Sequence, residues 1–153
     1  MIKLISHRGN INGVNTEREN EQTYLQEAIE AGYDVELDIR RLNHTLWFGH
    51  DGPTHMASMA WLLNYKNNLW IHTKNFDAMD FLIEHNFRVF YHQIEDHVVI
   101  GNTRIIWSRA ISEASTRSMI PLLSMDDINQ VDIKSLNVYA ICSDFVQTIK
   151  ERL

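Results

Sequence analysis

Val35-Glu36-Leu37-Asp38-Ile39 reads as a strand with two unlike faces. Successive side chains of an extended chain point to opposite sides, so Val35, Leu37 and Ile39 share an apolar face while Glu36 and Asp38 share the other. If helices cover the apolar face, both carboxylates turn into a cleft or barrel interior, where they repel each other and lose hydration unless cations accompany them. A divalent metal held through oxygen ligands is one source of that charge. The alternatives are a structural ion-pair network with Arg8, Arg40 or Lys74, or an amphipathic strand facing water.

Working outward, short apolar runs rich in β-formers recur at Ile2–Ser6, Leu69–Thr73, Arg88–His92, Arg104–Trp107, Ile120–Leu123 and Val138–Cys142. Helical stripes lie between several of them. Tyr24, Leu25, Ala28 and Ile29 form one stripe, closed by Gly32, and Phe76, Met79, Leu82 and Ile83 form another after Asn75. Ser124-Met-Asp-Asp127 has capping-box spacing, and Phe145, Ile149 and Leu153 repeat every four residues. Alternation of this kind predicts an α/β fold with a parallel sheet, either open or closed into a barrel. A (β/α) TIM-type barrel usually takes about 250 residues. At 153 residues the expectation is one compact, trimmed barrel domain over 1–153 with reduced outer helices.

Composition narrows the function classes. The formal net charge of −6 is spread without blocks, which disfavours nucleic acid as a partner. The single cysteine, Cys142, excludes an intrachain disulfide and points to a reducing, cytoplasmic compartment, and no apolar run suggests membrane insertion. No G-x-S-x-G elbow surrounds Ser6, and neither G-x-G-x-x-G nor a P-loop occurs, so serine-hydrolase, dinucleotide and P-loop chemistry have no motif. Trp47, Trp61, Trp70 and Trp107 could cover an oligomer interface, but core burial is the better explanation for most of them.

Several of the eight histidines stand at predicted strand ends, where barrel active sites are built. His7 follows Leu4-Ile5-Ser6, His50 follows Leu46-Trp47-Phe48-Gly49, and His72 lies in Trp70-Ile71-His72-Thr73-Lys74. Two histidines titrating near neutrality suffice for the proton transfers of phosphodiester cleavage. Arg8 beside His7, and Lys74 two residues past His72, supply cations for a phosphate. His44, His55, His85 and His97 are read as ordinary surface or core histidines.

Ser6-His7-Arg8-Gly9, Arg18-Glu19-Asn20-Glu21, Gly32-Tyr33-Asp34-Val35-Glu36-Leu37-Asp38-Ile39 and Gly49-His50-Asp51 together resemble the glycerophosphodiester phosphodiesterase family, a branch of the phosphatidylinositol-phospholipase-C-like phosphodiesterases. The family patterns are H-R-G, P-E-N-T, G-A-D-x-x-E-x-D-V and H-D, in that order. Ile106-Trp107-Ser108 and Ala140-Ile141-Cys142-Ser143-Asp144 resemble its late W-T and G-I-I-T-D segments. The likeness is dense over residues 5–51 and thin from about 75 to 137. It implies a metal-dependent hydrolase of a small glycerophosphodiester. His7 and His50 would be catalytic, Glu36 and Asp38 metal ligands, Arg8 and Lys74 phosphate-binding, and Glu19 a supporting residue.

The departures from the pattern carry information of their own. By the resemblance the ion would be Mg²⁺ or Ca²⁺, but His72 stands where the family has the third metal-binding glutamate of E-x-K, and its imidazole makes Mn²⁺ possible unless Glu95 or Asp96 supplies the missing oxygen. Arg18 and Glu21 replace the proline and threonine of P-E-N-T, and the G-A-D segment is one residue shorter. The attacker, water or a substrate hydroxyl, is left open. The rival expectations are a phospholipase-D-like or lyase activity on a lysolipid head group, and a barrel that binds a phosphorylated ligand without turnover.

Overall fold

The computed structural model describes residues 1–153. Its elements are β1 (Lys3–His7), α1 (Gln22–Glu30), β2 (Asp34–Leu42), β3 (Thr45–Phe48), β4 (His55–Met56), α2 (Met59–Asn64), β5 (Leu69–Thr73), α3 (Phe76–Glu84), β6 (Val89–Phe90), β7 (His97–Val99), β8 (Ile106–Ser108), β9 (Ser118–Pro121), α4 (Met125–Gln130), β10 (Ala140–Ser143) and α5 (Val146–Arg152). The strands form one curled, mostly parallel sheet, half-barrel in form. Parallel neighbours follow the order β6-β5-β2-β1-β10-β9-β8. An antiparallel bridge between Val89 and Gly101 ties β6 to the segment after β7.

The wholly parallel sheet expected from the alternation is corrected at three strands, because β3 runs antiparallel to β2, β4 antiparallel to β3, and β7 antiparallel to β8. For β3 and β4 the cause lies in β2, which is longer than its neighbours. It pairs with β1 over Asp34–Glu36, and once β1 ends at His7 the freed edge takes β3 over Ile39–Leu42. Asn43 and His44 make the two-residue turn between Leu42 and Thr45, both at positive φ (49° and 64°). That conformation matches the twist of a hairpin and is one asparagine tolerates well.

Every inner strand then sorts its side chains by parity. Ile5, Trp70, Phe90, Trp107, Met119, Ala140 and Cys142 meet inside the curl. Outward-facing Val35, Leu37, Ile39, Leu69 and Ile71 pack on Leu25 and Ala28 of α1 and on Ala78 and Leu82 of α3, and Ile120, Leu122 and Ile141 pack on Ile128 of α4 and Ile149 of α5. Each fully buried large aliphatic chain stabilises the fold by about 1.5–3 kcal/mol. Of the tryptophans, Trp61, Trp70 and Trp107 are buried, the core alternative of the sequence reading, and Trp47 is half-buried.

Local signals explain the helices that position the site. Asn75 Oδ1 accepts from Ala78 N (3.2 Å) and from Arg41 N (3.1 Å), so one side chain caps α3 and fastens it to the end of β2. The Ser124–Asp127 capping box is complete. The α3 stripe is rotated from the expected one: Leu82 is buried, but Phe76 and Ile83 are exposed and Ala78 takes the contact with the sheet. At the C-terminus Val146 and Ile149 are buried while Leu153 is exposed.

Gly49 closes β3 with its N–H on Asp38 O (3.1 Å) at φ +131°, and a Cβ there would stand 2.1 Å from Gly52 O. Gly49→Ala is therefore expected to lower stability by roughly 2–4 kcal/mol through backbone strain and overlap. Denaturant unfolding with an unchanged midpoint would contradict this.

Candidate active site

The inner faces of β1, β2 and β5 carry alternating side chains up to the strand ends, and their register decides what meets. His7 lies beside Glu36, and Asp38 beside His72. With Arg8, His50, His92, Trp107 and Arg109 these residues line a cleft of about 270 Å³, Asp38 lying beneath it. Sequence-predicted His7, His50, Arg8, Glu36 and His72 are thus brought to one place. Lys74 stands at its edge, with Nζ 3.7 Å from Asp38 Oδ1.

Glu36, Asp38 and His72 are all buried and each offers a ligand atom within 4.8 Å of the other two, so the cluster could hold a metal ion. Glu36 Oε2 and His72 Nε2 are buried without hydrogen-bond partners, while Asp38 Oδ1 has His72 Nδ1 at 3.2 Å and Lys74 Nζ at 3.7 Å. An unpaired buried polar atom costs about 1–3 kcal/mol, so two of them within one carboxylate–imidazole cluster fit the donor set of a cation site. Glu95 and Asp96 do not join it. Glu95 folds back on its own loop, accepting from Gln93 N (2.7 Å) and Ile94 N (3.2 Å), and Asp96 is exposed.

The two carboxylates have different surroundings. Asp38 is ringed by donors: Arg8 Nε at 3.0 Å, His72 Nδ1 at 3.2 Å, and Asn20, which donates from Nδ2 to Oδ2 (3.0 Å) while its Oδ1 accepts from Asp38 N (2.8 Å). Burial opposes its charge, but His72, Arg8 and Asn20 outweigh that and hold its carboxyl well below the usual range. Glu36 is not so compensated. Burial first, and the charge of Asp38 second, push its carboxyl upward, and the nearest cationic group is His7 Nε2 at 3.8 Å. Of the cations considered as neutralisers, Arg8 and Lys74 serve Asp38, whereas Arg40 turns away to the carbonyls of Gly49 (3.1 Å) and His50 (2.7 Å).

His7 and His50 each have a carboxylate at Nδ1. His7 Nδ1 meets Asp144 Oδ1 at 2.8 Å, and His50 Nδ1 meets Asp51 Oδ1 at 2.7 Å. A carboxylate accepts the Nδ1 proton and leaves Nε2 free in the neutral ring. Burial opposes a proton on His7, yet the bond to Asp144 and the charges of Glu36 and Asp144 prevail and its pKa is raised. Glu19 sits behind, accepting from Arg8 Nη1 (3.1 Å) and Asn10 Nδ2 (2.9 Å), while Asn10 Nδ2 also donates to Asp144 Oδ1 (2.7 Å). One amide therefore couples the arginine support to the histidine support.

Sequence reasoning gave no role to Asp144, Asn10, Asn20, His92, Trp107 or Arg109. Asp144 and Asn20 lie inside segments already singled out, and the inward parity of β10 and β8 points to Asp144 and Arg109 once the strands are aligned. His92 stacks on His72 (centroids 4.5 Å, planes 6° apart). Burial, then His72, Arg109 and Lys74, lower its pKa to about 4. Comparison with family models, curated proteins and solved structures returns no match.

A group whose pKa is raised on folding binds its proton more strongly in the folded state, so stability falls as pH rises through that group's titration. Glu36→Gln is accordingly expected to stabilise the metal-free protein at pH 7, by on the order of 1–3 kcal/mol, and to flatten the decline above the ordinary glutamate range. A divalent ion should raise the melting temperature of the wild type and not of this variant. Equal stability of the two proteins across pH 4–7, or an equal gain from metal, would contradict the placement of an uncompensated carboxyl at this position.

Proposed function

We propose that the protein is a metal-dependent phosphodiester hydrolase acting on a small glycerophosphodiester-like molecule. The observation that carries the reading is the convergence in one cleft of a buried Glu36–Asp38–His72 cluster with two histidines that each have a carboxylate partner and a free Nε2. The likeness of the residue 5–51 motifs to the glycerophosphodiester phosphodiesterases supports it independently of the geometry. We read the sheet as a trimmed TIM-type barrel, supported by its parallel order and by the Val89–Gly101 bridge between its two edges. No helix is long and apolar enough to cross a membrane.

Glu36, Asp38 and His72 would hold the ion, and two carboxylates plus an imidazole favour Mn²⁺ over Mg²⁺ or Ca²⁺. When bound, the metal supplies Lewis-acid stabilisation of charge on a non-bridging phosphate oxygen. Arg8, held in place by Glu19, and Lys74 present cations to the same phosphate. One of the two imidazoles accepts at Nε2 the proton of the attacking oxygen, that of water or of a substrate hydroxyl, as the new P–O bond forms. The other returns a proton to the departing alkoxide as the old P–O bond breaks. Asp144 and Asp51 fix ring orientation and tautomer by accepting at Nδ1.

Metal-stripped protein is expected to lose hydrolysis of bis(4-nitrophenyl) phosphate and to recover it with added Mn²⁺, more than with Mg²⁺ or Ca²⁺. His7→Ala and His50→Ala should each lower turnover by a factor on the order of 10²–10⁴ without loss of fold. Full activity in either variant, or metal-independent turnover, would overturn the proposal. Asp144→Asn removes a group that raises the pKa of His7, so the limb of the pH–rate profile governed by His7 should move to lower pH. An unmoved profile would separate Asp144 from the reaction.

A further inference from the structure

The part of the cleft built by β6 and β8 takes no role in phosphodiester cleavage, yet it holds unsatisfied polar groups. Four flat rings pack together at His72: His92 (4.5 Å, 6°) and Phe90 (5.0 Å, 6°) both stack on it, and Trp107 stacks on His92 (5.5 Å, 15°) and on Phe90 (5.0 Å, 21°). Trp107 is 5% exposed, and its indole Nε1, a group that can only donate, is buried without a partner. Trp61 and Trp70, by contrast, donate to Gln26 Oε1 (3.2 Å) and Asp34 Oδ2 (2.9 Å). His92 Nδ1 is likewise buried and unpaired.

Arg109 follows Trp107 by two residues, so both face the cleft, and its charge reaches the His92 ring. Its backbone N–H is fixed on Asp96 O (2.7 Å), but its guanidinium makes neither a hydrogen bond nor an ion pair. Arg8 and Lys74 both have Asp38 within 4 Å, and Arg8 also has Glu19, so Arg109 is the one cation lining the cleft with no carboxylate of its own.

A free guanidinium and an unpaired indole N–H on one wall, with an imidazole that can donate in its Nδ1–H tautomer, select an acceptor, and an oxyanion best. We propose that Arg109, Trp107 and His92 form a second oxyanion subsite, so that the substrate carries a carboxylate or phosphate monoester on an arm of its phosphodiester. This inference rests on the phosphodiesterase reading, because the first subsite is taken to hold the scissile phosphate.

The test uses the full chain with Mn²⁺, calorimetry, and three probes on one scaffold: glycerol 3-phosphate, 3-phosphoglycerate, which adds a carboxylate, and glycerol 1,3-bisphosphate, which adds a phosphate. The two probes with a second anionic group are expected to bind about tenfold or more tightly than glycerol 3-phosphate. Whichever of them binds better identifies the second group. Arg109→Gln should remove the preference and leave affinity for glycerol 3-phosphate unchanged. In ¹H–¹⁵N spectra, taken with excess Mg²⁺ in place of paramagnetic Mn²⁺, the indole N–H signal lost in Trp107→Phe should move only with the probes that carry a second anionic group. Equal affinity in the wild type, or a preference that survives Arg109→Gln, would overturn the subsite while leaving the phosphodiesterase reading intact. Failure of all three probes to bind would overturn both.

Discussion

Glu36 and Asp38 are buried two residues apart on the strand that most of the sheet is built around, and most of the cleft is an answer to that arrangement. Two carboxylates removed from water on one face cannot both ionise without compensation. Asp38 receives it from Arg8, His72, Lys74 and Asn20, drawn from three separate segments of the chain. Glu36 does not, and its unpaired oxygen, in the same cluster as the unpaired His72 Nε2, is the local departure from full satisfaction that a metal site requires of the free protein.

Support for the histidines is layered onto the same frame. β10 lies beside β1 and brings Asp144 to His7 from the far end of the sequence, while the β3 edge that replaces a covering helix brings His50 with its own Asp51. Asn10 joins Asp144 to Glu19, and Glu19 joins Arg8, so the residues that orient His7 and Arg8 share one hydrogen-bond chain. Such a network rigidifies the groups that it joins.

A short chain builds this frame by economy of covering. Helices pack on the outer faces of β2, β5, β9 and β10, where the outward residues are Val, Leu and Ile. After β6 and β8 there is no helix, only the β7 hairpin strand and a single helical turn at Ile111–Glu113. The rim there is correspondingly built from side chains on the strand ends themselves, which is why His92, Trp107 and Arg109 reach the cleft directly.

Strand positions, the capping residues Asn75 and Ser124, and the shared face of Glu36 and Asp38 were legible in the sequence because they depend on period-two alternation and on contacts within a few residues. For the same reason His7, His50, Arg8, Lys74 and His72 could be picked out at strand ends, and their likeness to a family motif lay within the contiguous stretch 5–51. The direction of β3, β4 and β7 could not be read in the same way, since it depends on which edge is free once a neighbour ends, and only the Asn43-His44 turn signalled it. Tertiary structure alone decided that Arg8 and Lys74 attend Asp38 while Arg40 turns away, that Glu95 stays in its loop, and that Asp144 stands behind His7. Each is a choice between partners far apart along the chain, set by the register of strands closing on one another, and no local pattern encodes a register.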